Sequence, residues 1–160
     1  MTTKTNETQI IVDPDVPLVR IIREFDASPE KVFRAHTDPD LFKQWNGPDG
    51  YETDIETFDC RTGGSWRYKS SGQGWEGWFR GSFHEIRPNS VIIQTFNYED
   101  IPDAVALERI EFEDLGNGRT RLTSTSLVDS FEGRDSFVAS GMEVGVIEGY
   151  QRLDGILAAN

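Results

Sequence analysis

The sequence predicts an α+β fold in which a curved antiparallel sheet of about six or seven strands closes around one long C-terminal helix. Three observations predict it. From Asp129 to Asn160 the chain has no proline, and Val138, Met142, Val146, Tyr150, Leu153 and Leu157 recur at helical spacing. Between Leu18 and Val128 the chain is mostly short alternating runs separated by turn residues, the mark of strands joined by short connections and so paired antiparallel. A helix with an apolar stripe must bury it, and the sheet is the only partner large enough.

The elements follow in order. Residues 1–16 are polar apart from Ile10-Ile11-Val12, with Pro14 near their end, and are expected to form a flexible N-terminal tail. Residues 17–160 are expected to form a single domain. Leu18 to Phe25 is the first strand. Ser28-Pro29-Glu30 has the order of N-cap, first helical residue and first-turn acid, and Asp38-Pro39-Asp40 repeats it. Short helices are therefore expected after the first strand, the second carrying Leu41, Phe42 and Trp45 and stopping at Asn46-Gly47-Pro48. Strands are then expected over 51–58, 65–70, 75–86, 90–98, 104–113 and 119–128. The turn at 71–74 makes a hairpin, and Gly77 and Gly81 mark expected bulges or bends.

Composition narrows the function. Lys plus Arg is 16 and Asp plus Glu is 28, so the net charge is 16 − 28 = −12. Such a chain repels nucleic-acid backbones and anionic lipid, so neither nucleic acid nor a membrane is an expected partner. Cys60 is the single cysteine, which excludes an intramolecular disulfide. No signal peptide pattern and no run near the ~20 apolar residues of a membrane span is present, so a cytoplasmic location is expected. His36 and His84 lack carboxylate or cysteine neighbours at ligand spacing, so no metal and no cofactor is expected. Nucleophile-elbow, P-loop and dinucleotide-binding motifs are absent.

The aromatic fraction is 11%, and the rings concentrate in the strands: Trp66, Tyr68, Trp75, Trp78, Phe79, Phe83 and Phe96. Such rings either fill a core or line a ligand pocket, with Trp and Tyr supplying polar tips. Alternation puts Trp66 and Tyr68 on one face. Trp78 and Phe83 share a face only if the strand bulges at Gly81. Gly141, Gly145 and Gly149 stand four apart on the long helix, each at a cost of about 1 kcal/mol relative to alanine. They either let the helix approach the sheet closely or leave room for a ligand beside Met142 and Val146. Arg23, Arg67, Arg80, His84 and Glu85 lie in strands where a side chain could point inward.

Five stretches together resemble a known family: Arg23–Phe33 (REFDASPEKVF), Thr37–Pro48 (TDPDLFKQWNGP), Gly63–Tyr68 (GGSWRY), Gly81–Pro88 (GSFHEIRP) and Gly141–Asp154 (GMEVGVIEGYQRLD). They are similar to the short proteins of the START-like (SRPBCC) superfamily that match the C-terminal domain of the Hsp90 ATPase activator, over roughly Leu18 to Ala158. The resemblance implies the helix-grip fold. Asn46 stands where a second Trp is common in these proteins, and Tyr150 sits deep in the helix; both departures bear on ligand choice. The superfamily includes lipid and hormone binders and polyketide cyclases, so fold alone does not give function.

The first reading is a binding module for a small hydrophobic or aromatic molecule held between the helix and the sheet. Its expected wall residues are Trp45, Trp66, Tyr68, Trp78, Phe83, Phe96, Met142, Val146 and Tyr150. An enzyme of polyketide cyclase or hydrolase type would use the same cavity, with Arg80, His84 or Glu85 as the acid–base group. A third reading is a chaperone-associated protein-binding domain. Direct Hsp90 activation is not expected, because residues 1–16 are too short for the activator's separate chaperone-binding domain. A homodimer is left open.

Overall fold

Alternation sets the sheet. In the computed structural model, which describes residues 6–159, every second residue of the strand Leu18–Phe25 is buried: Val19, Ile21, Arg23 and Phe25. The elements in chain order are β1 (Gln9–Val12), β2 (Leu18–Phe25), α1 (Pro29–Thr37), α2 (Pro39–Trp45), β3 (Glu52–Phe58) and β4 (Ser65–Gly72), then β5 (Trp75–Arg87), β6 (Val91–Tyr98), β7 (Val105–Gly116), β8 (Arg119–Leu127), α3 (Phe131–Ala139) and α4 (Met142–Ala159). The strands form one antiparallel sheet in the order β1-β2-β8-β7-β6-β5-β4-β3. Chain neighbours β3 to β8 pair by hairpins, and β2 closes onto β8 from the other end of the chain. Its inner face holds the helices: the helix-grip arrangement.

The helix starts form as their sequences dictate. Ser28 Oγ accepts the Lys31 amide at 3.4 Å, and Asp38 Oδ1 accepts the Asp40 amide at 2.9 Å. Each satisfies an amide that the first helical turn leaves without a partner.

Two expectations fail on local chemistry. Residues 9–12 are not tail but an edge strand, paired from Gln9↔Ile22 to Val12↔Val19, and this raises the strand count to eight. Ile10 packs against the core from this strand, so three apolar residues in polar surroundings suffice when a neighbouring strand offers its edge. Residues 1–5 of the expected tail lie outside the described residues. The C-terminal stretch is not one helix but two. Gly141 takes φ +86°, a left-handed conformation open to glycine, and ends α3 before α4 begins. Helical spacing continues across the break, which is why periodicity alone did not register it.

The core is fullest beside β2, β8 and the second half of α4. Phe25, Leu122 and Leu153 have no exposed surface, and Tyr150 meets Phe25 edge to face with ring centroids 5.3 Å apart. The helix also docks closely on the end of α2. A Cβ added at Gly149 would lie 2.8 Å from the Trp45 carbonyl oxygen, and one at Gly145 would lie 3.4 Å from Pro48. Arg152 donates to the Trp45 carbonyl at 2.9 Å and to the Gly47 carbonyl, and it pairs with Asp49. Gly145 and Gly149 are thus close-approach positions, toward the Trp45–Pro48 segment rather than toward the sheet. Among the described residues no helix is long and apolar enough to cross a membrane.

Candidate functional site: the cup between the last helix and the sheet

The inner face of the sheet has a closed end and an open end. At the closed end Phe25, Trp45, Tyr150 and Leu153 are buried against one another. His36 joins them, with its ring 4.8 Å from Trp45 and 5.2 Å from Phe112. Its Nδ1 donates to the Val32 carbonyl at 2.8 Å, and burial pulls its pKa down to about 4. It is therefore a neutral packing residue at ordinary pH.

The open end lies under the first half of α4. Phe79, Gln94, Phe96, Glu108 and Ile110 belong to the inward-pointing files of β5, β6 and β7, yet all of them stay only half-buried. Met142 and Val146, on the α4 face that also carries Tyr150, are half-buried as well. A stacked set of rings borders this space. Trp66 lies on Tyr68 at 5.3 Å, Tyr68 on Phe79 at 5.6 Å, and Phe96 stands 5.7 Å from Trp66 and 5.5 Å from Phe79. Gly81, opposite Trp66 in the ladder, makes room for the indole: a Cβ there would come within 2.5 Å of Trp66 Nε1.

Glu108 is the ionisable group of the open end. Its Oε1 accepts from Gln94 Nε2 at 3.0 Å, and its Oε2 accepts from Ser126 Oγ at 2.6 Å. Both donors are its direct ladder partners, Gln94 on β6 and Ser126 on β8. Neither is charged, and among the described residues no salt bridge involves Glu108. Enclosure raises its pKa above the usual carboxylate value, and the two hydrogen bonds oppose that shift without cancelling it. The phenols of Tyr68 and Tyr150 both feel its charge. Burial, aided by Glu108, pushes the Tyr68 pKa up to about 12 against a hydrogen bond from Asn46, and the Tyr150 pKa rises for the same leading reason.

The other inward charge is spoken for. Arg23 grips Asp154 of α4 with both terminal nitrogens, at 2.9 and 2.5 Å, and also donates to the Glu24 carbonyl. This pair clamps α4 onto β2.

Of the wall residues expected from sequence, Trp66, Tyr68, Phe83, Phe96, Met142 and Val146 face the space between helix and sheet, and Tyr150 stands at its closed end, packed on Phe25 and Trp45. Trp45 belongs to the closed end, where its indole donates to the Ala35 carbonyl at 2.9 Å. Trp78 does not belong to the cup. β5 alternates regularly up to Phe83, and its register shift falls between Phe83 and Glu85, past Gly81, so Trp78 and Phe83 stay on opposite faces. On the outer face the Arg67 guanidinium lies 3.9 Å over the Trp78 ring. The three expected acid–base residues are also outside the cup. Arg80 and His84 are exposed, and Glu85 accepts from Thr62 Oγ1 at 3.1 Å on the outer side.

Sequence reasoning missed Glu108, Gln94 and Ser126. A signal was present for Glu108: in the file Ala106, Glu108, Ile110, Phe112 it is the one ionisable residue among apolar neighbours two apart. The Gln94 and Ser126 partners follow only from the register.

Two open depressions mark the outer surface. One, of about 350 Å³, lies between Gln44 of α2 and Arg152, Gly155, Ile156 and Ala159 of α4. The other, of about 440 Å³, lies over the outer face of β4 to β7 and contains Arg67, Arg80 and Asn97. Neither adjoins Glu108. Among the described residues no group of His, Cys, Asp and Glu is placed to hold a metal ion.

Residues 26–158 match the family model described as Activator of Hsp90 ATPase homolog 1-like protein. Solved structures share the fold. A protein of Rhodobacter sphaeroides is 27% identical, with a TM-score of 0.86 over 96% of this chain and 100% of that one. A protein of Arthrobacter aurescens is 25% identical, with a TM-score of 0.86 over 95% of this chain and 92% of that one. A protein of Rhizobium loti is 30% identical, with a TM-score of 0.66 over 86% of this chain and 94% of that one. No functionally curated protein matches the chain significantly.

Proposed function

We infer a function from one premise: the chain belongs to the family of Activator of Hsp90 ATPase homolog 1-like proteins. Its function is to bind a small, largely apolar molecule at the open end of the cup, between α4 and strands β5 to β7. One observation carries this reading. Phe79, Phe96, Met142 and Val146 point into the cup and yet keep accessible surface, while the closed end is packed out. Concave apolar surface with a few convergent polar groups is the usual make-up of a small-molecule site. The catalytic alternative loses its three named residues to the outer face and has no comparable support.

The test uses phenylnaphthylamine, a neutral probe that fluoresces in apolar surroundings. The wild-type protein should enhance and blue-shift its emission. Val146→Trp, which fills the open end, should abolish the effect while keeping the wild-type circular dichroism spectrum. An unchanged probe signal in a folded Val146→Trp protein would refute the cup as the site. Native mass spectrometry of freshly purified protein would add the ligand's mass, if that mass disappears on denaturation.

A further inference from the structure

We propose that the cup selects an organic ammonium ion, an aromatic or alkyl amine whose protonated nitrogen meets the Glu108 carboxylate. This rests on the cup being the ligand site, and it names the class of ligand.

Glu108 lacks a counter-charge among the described residues. An ionised carboxylate offers about four acceptor positions. Here one neutral amide, Gln94, and one hydroxyl, Ser126, occupy one position on each oxygen. Carboxylates withdrawn from water are normally paired with a cation or a metal. The buried cation on the inner face of the sheet, Arg23, is held bidentately by Asp154. Among the described residues no cation pairs with Glu108, and its remaining acceptor positions are left without a charged partner.

The walls have the complementary chemistry. Phe96 is two residues from Gln94 along β6, on the same inward file as the ladder partner of Glu108. The Tyr68 and Tyr150 phenols are close enough to be influenced by the Glu108 charge. Aromatic faces near an anionic group add to its attraction for a cation through their quadrupoles. An amine also supplies the positive charge that a neutral ligand does not, and it favours the ionised form of Glu108. An anionic ligand would meet Glu108 with like charge, in a chain already at net −12.

Phenethylamine, phenethyl alcohol and phenylacetate present the same ring and chain with positive, neutral and negative ends. Titrated into the protein at neutral pH and followed by calorimetry, the amine should bind at least tenfold more tightly than the alcohol, and the acid should bind least. Glu108→Gln keeps the shape of the side chain and removes the charge, and it should bring the amine down to the alcohol's affinity. Equal binding of amine and alcohol by the wild type would overturn the proposal, and so would an amine preference that survives Glu108→Gln. Those results would leave the cup itself standing. If none of the three binds, or if Val146→Trp does not reduce the binding seen, the cup reading falls and this inference falls with it.

Discussion

Arg23 and Glu108 occupy equivalent positions, each an ionisable residue in the inward file of its strand, yet their surroundings are opposite. Arg23 lies at the closed end, 2% exposed, with a carboxylate from α4 brought to it. Glu108 lies at the open end with two neutral donors and no cation. One charge fastens the helix, and the other has no charged partner among the described residues. The difference teaches where a fold spends its polar groups. A paired inward charge marks architecture, and an inward charge that architecture does not pair is a functional-site candidate, which is why the proposed ligand is placed there.

The contrast can be broken most strongly at Asp154. Asp154→Ala leaves Arg23 buried without its counter-charge, and about 3–5 kcal/mol of stability should be lost in urea unfolding. A loss below about 1 kcal/mol would mean that water reaches Arg23 and that this end is not closed. The apolar side of the contrast comes next. Leu153→Ala, at a site with no exposed surface, should cost about 2–5 kcal/mol, whereas Val146→Ala should cost less than about 1 kcal/mol. Equal losses would show that α4 is packed to the same degree along its length.

His36 tests the closed end by pH. Its pKa is about 4 in the fold against 6.5 for the free side chain. As pH falls through that window the unfolded chain takes up a proton that the folded chain refuses, so stability present above pH 6.5 is lost toward pH 4. The full effect is on the order of 3 kcal/mol. His36→Phe, which keeps the ring contacts to Trp45 and Phe112, should flatten that limb of the urea-midpoint profile. The smallest effect is expected at Glu108, with the opposite sign. Its folded pKa is raised, so the stability attached to its proton is present below about pH 4.5 and is lost as pH rises through the folded value. Glu108→Gln should therefore raise the urea midpoint at about pH 8, with the gain vanishing below about pH 4.

How much of this was legible in the sequence depended on whether a signal was local. Ser28-Pro29 and Asp38-Pro39 state their helix starts within three residues, and both helices begin there. The strands announced themselves by alternation, and their limits are met within a few residues. The break at Gly141 was hidden because Val138 and Met142 keep the four-residue spacing of the apolar stripe across it. The edge strand β1 was hidden because its pairing partner, not its own composition, makes it a strand. For the cup, residue type served well where alternation was unbroken, as at Trp66 and Tyr68. It failed at Trp78, where the side hung on which residue carried the bulge. It failed also at Glu108, because attention went to the charges flanking the aromatic run rather than to the single charge in an apolar file. The Gln94 and Ser126 contacts depend on register between distant strands, which one-dimensional patterning does not encode.

The sheet is open, so it has two unpaired borders, and they are not alike. β1 presents Ile11 and Val12, both exposed, whereas β3 presents Glu52, Asp54 and Glu56 on its exposed side. Two molecules meeting along β3 would set carboxylate against carboxylate, a built-in repulsion that blocks strand-to-strand stacking from that side. The protection is coulombic and therefore weakened by salt. Near the isoelectric point of about 4.5 the net charge that keeps molecules apart vanishes, and a well-dispersed solution brought there should turn turbid.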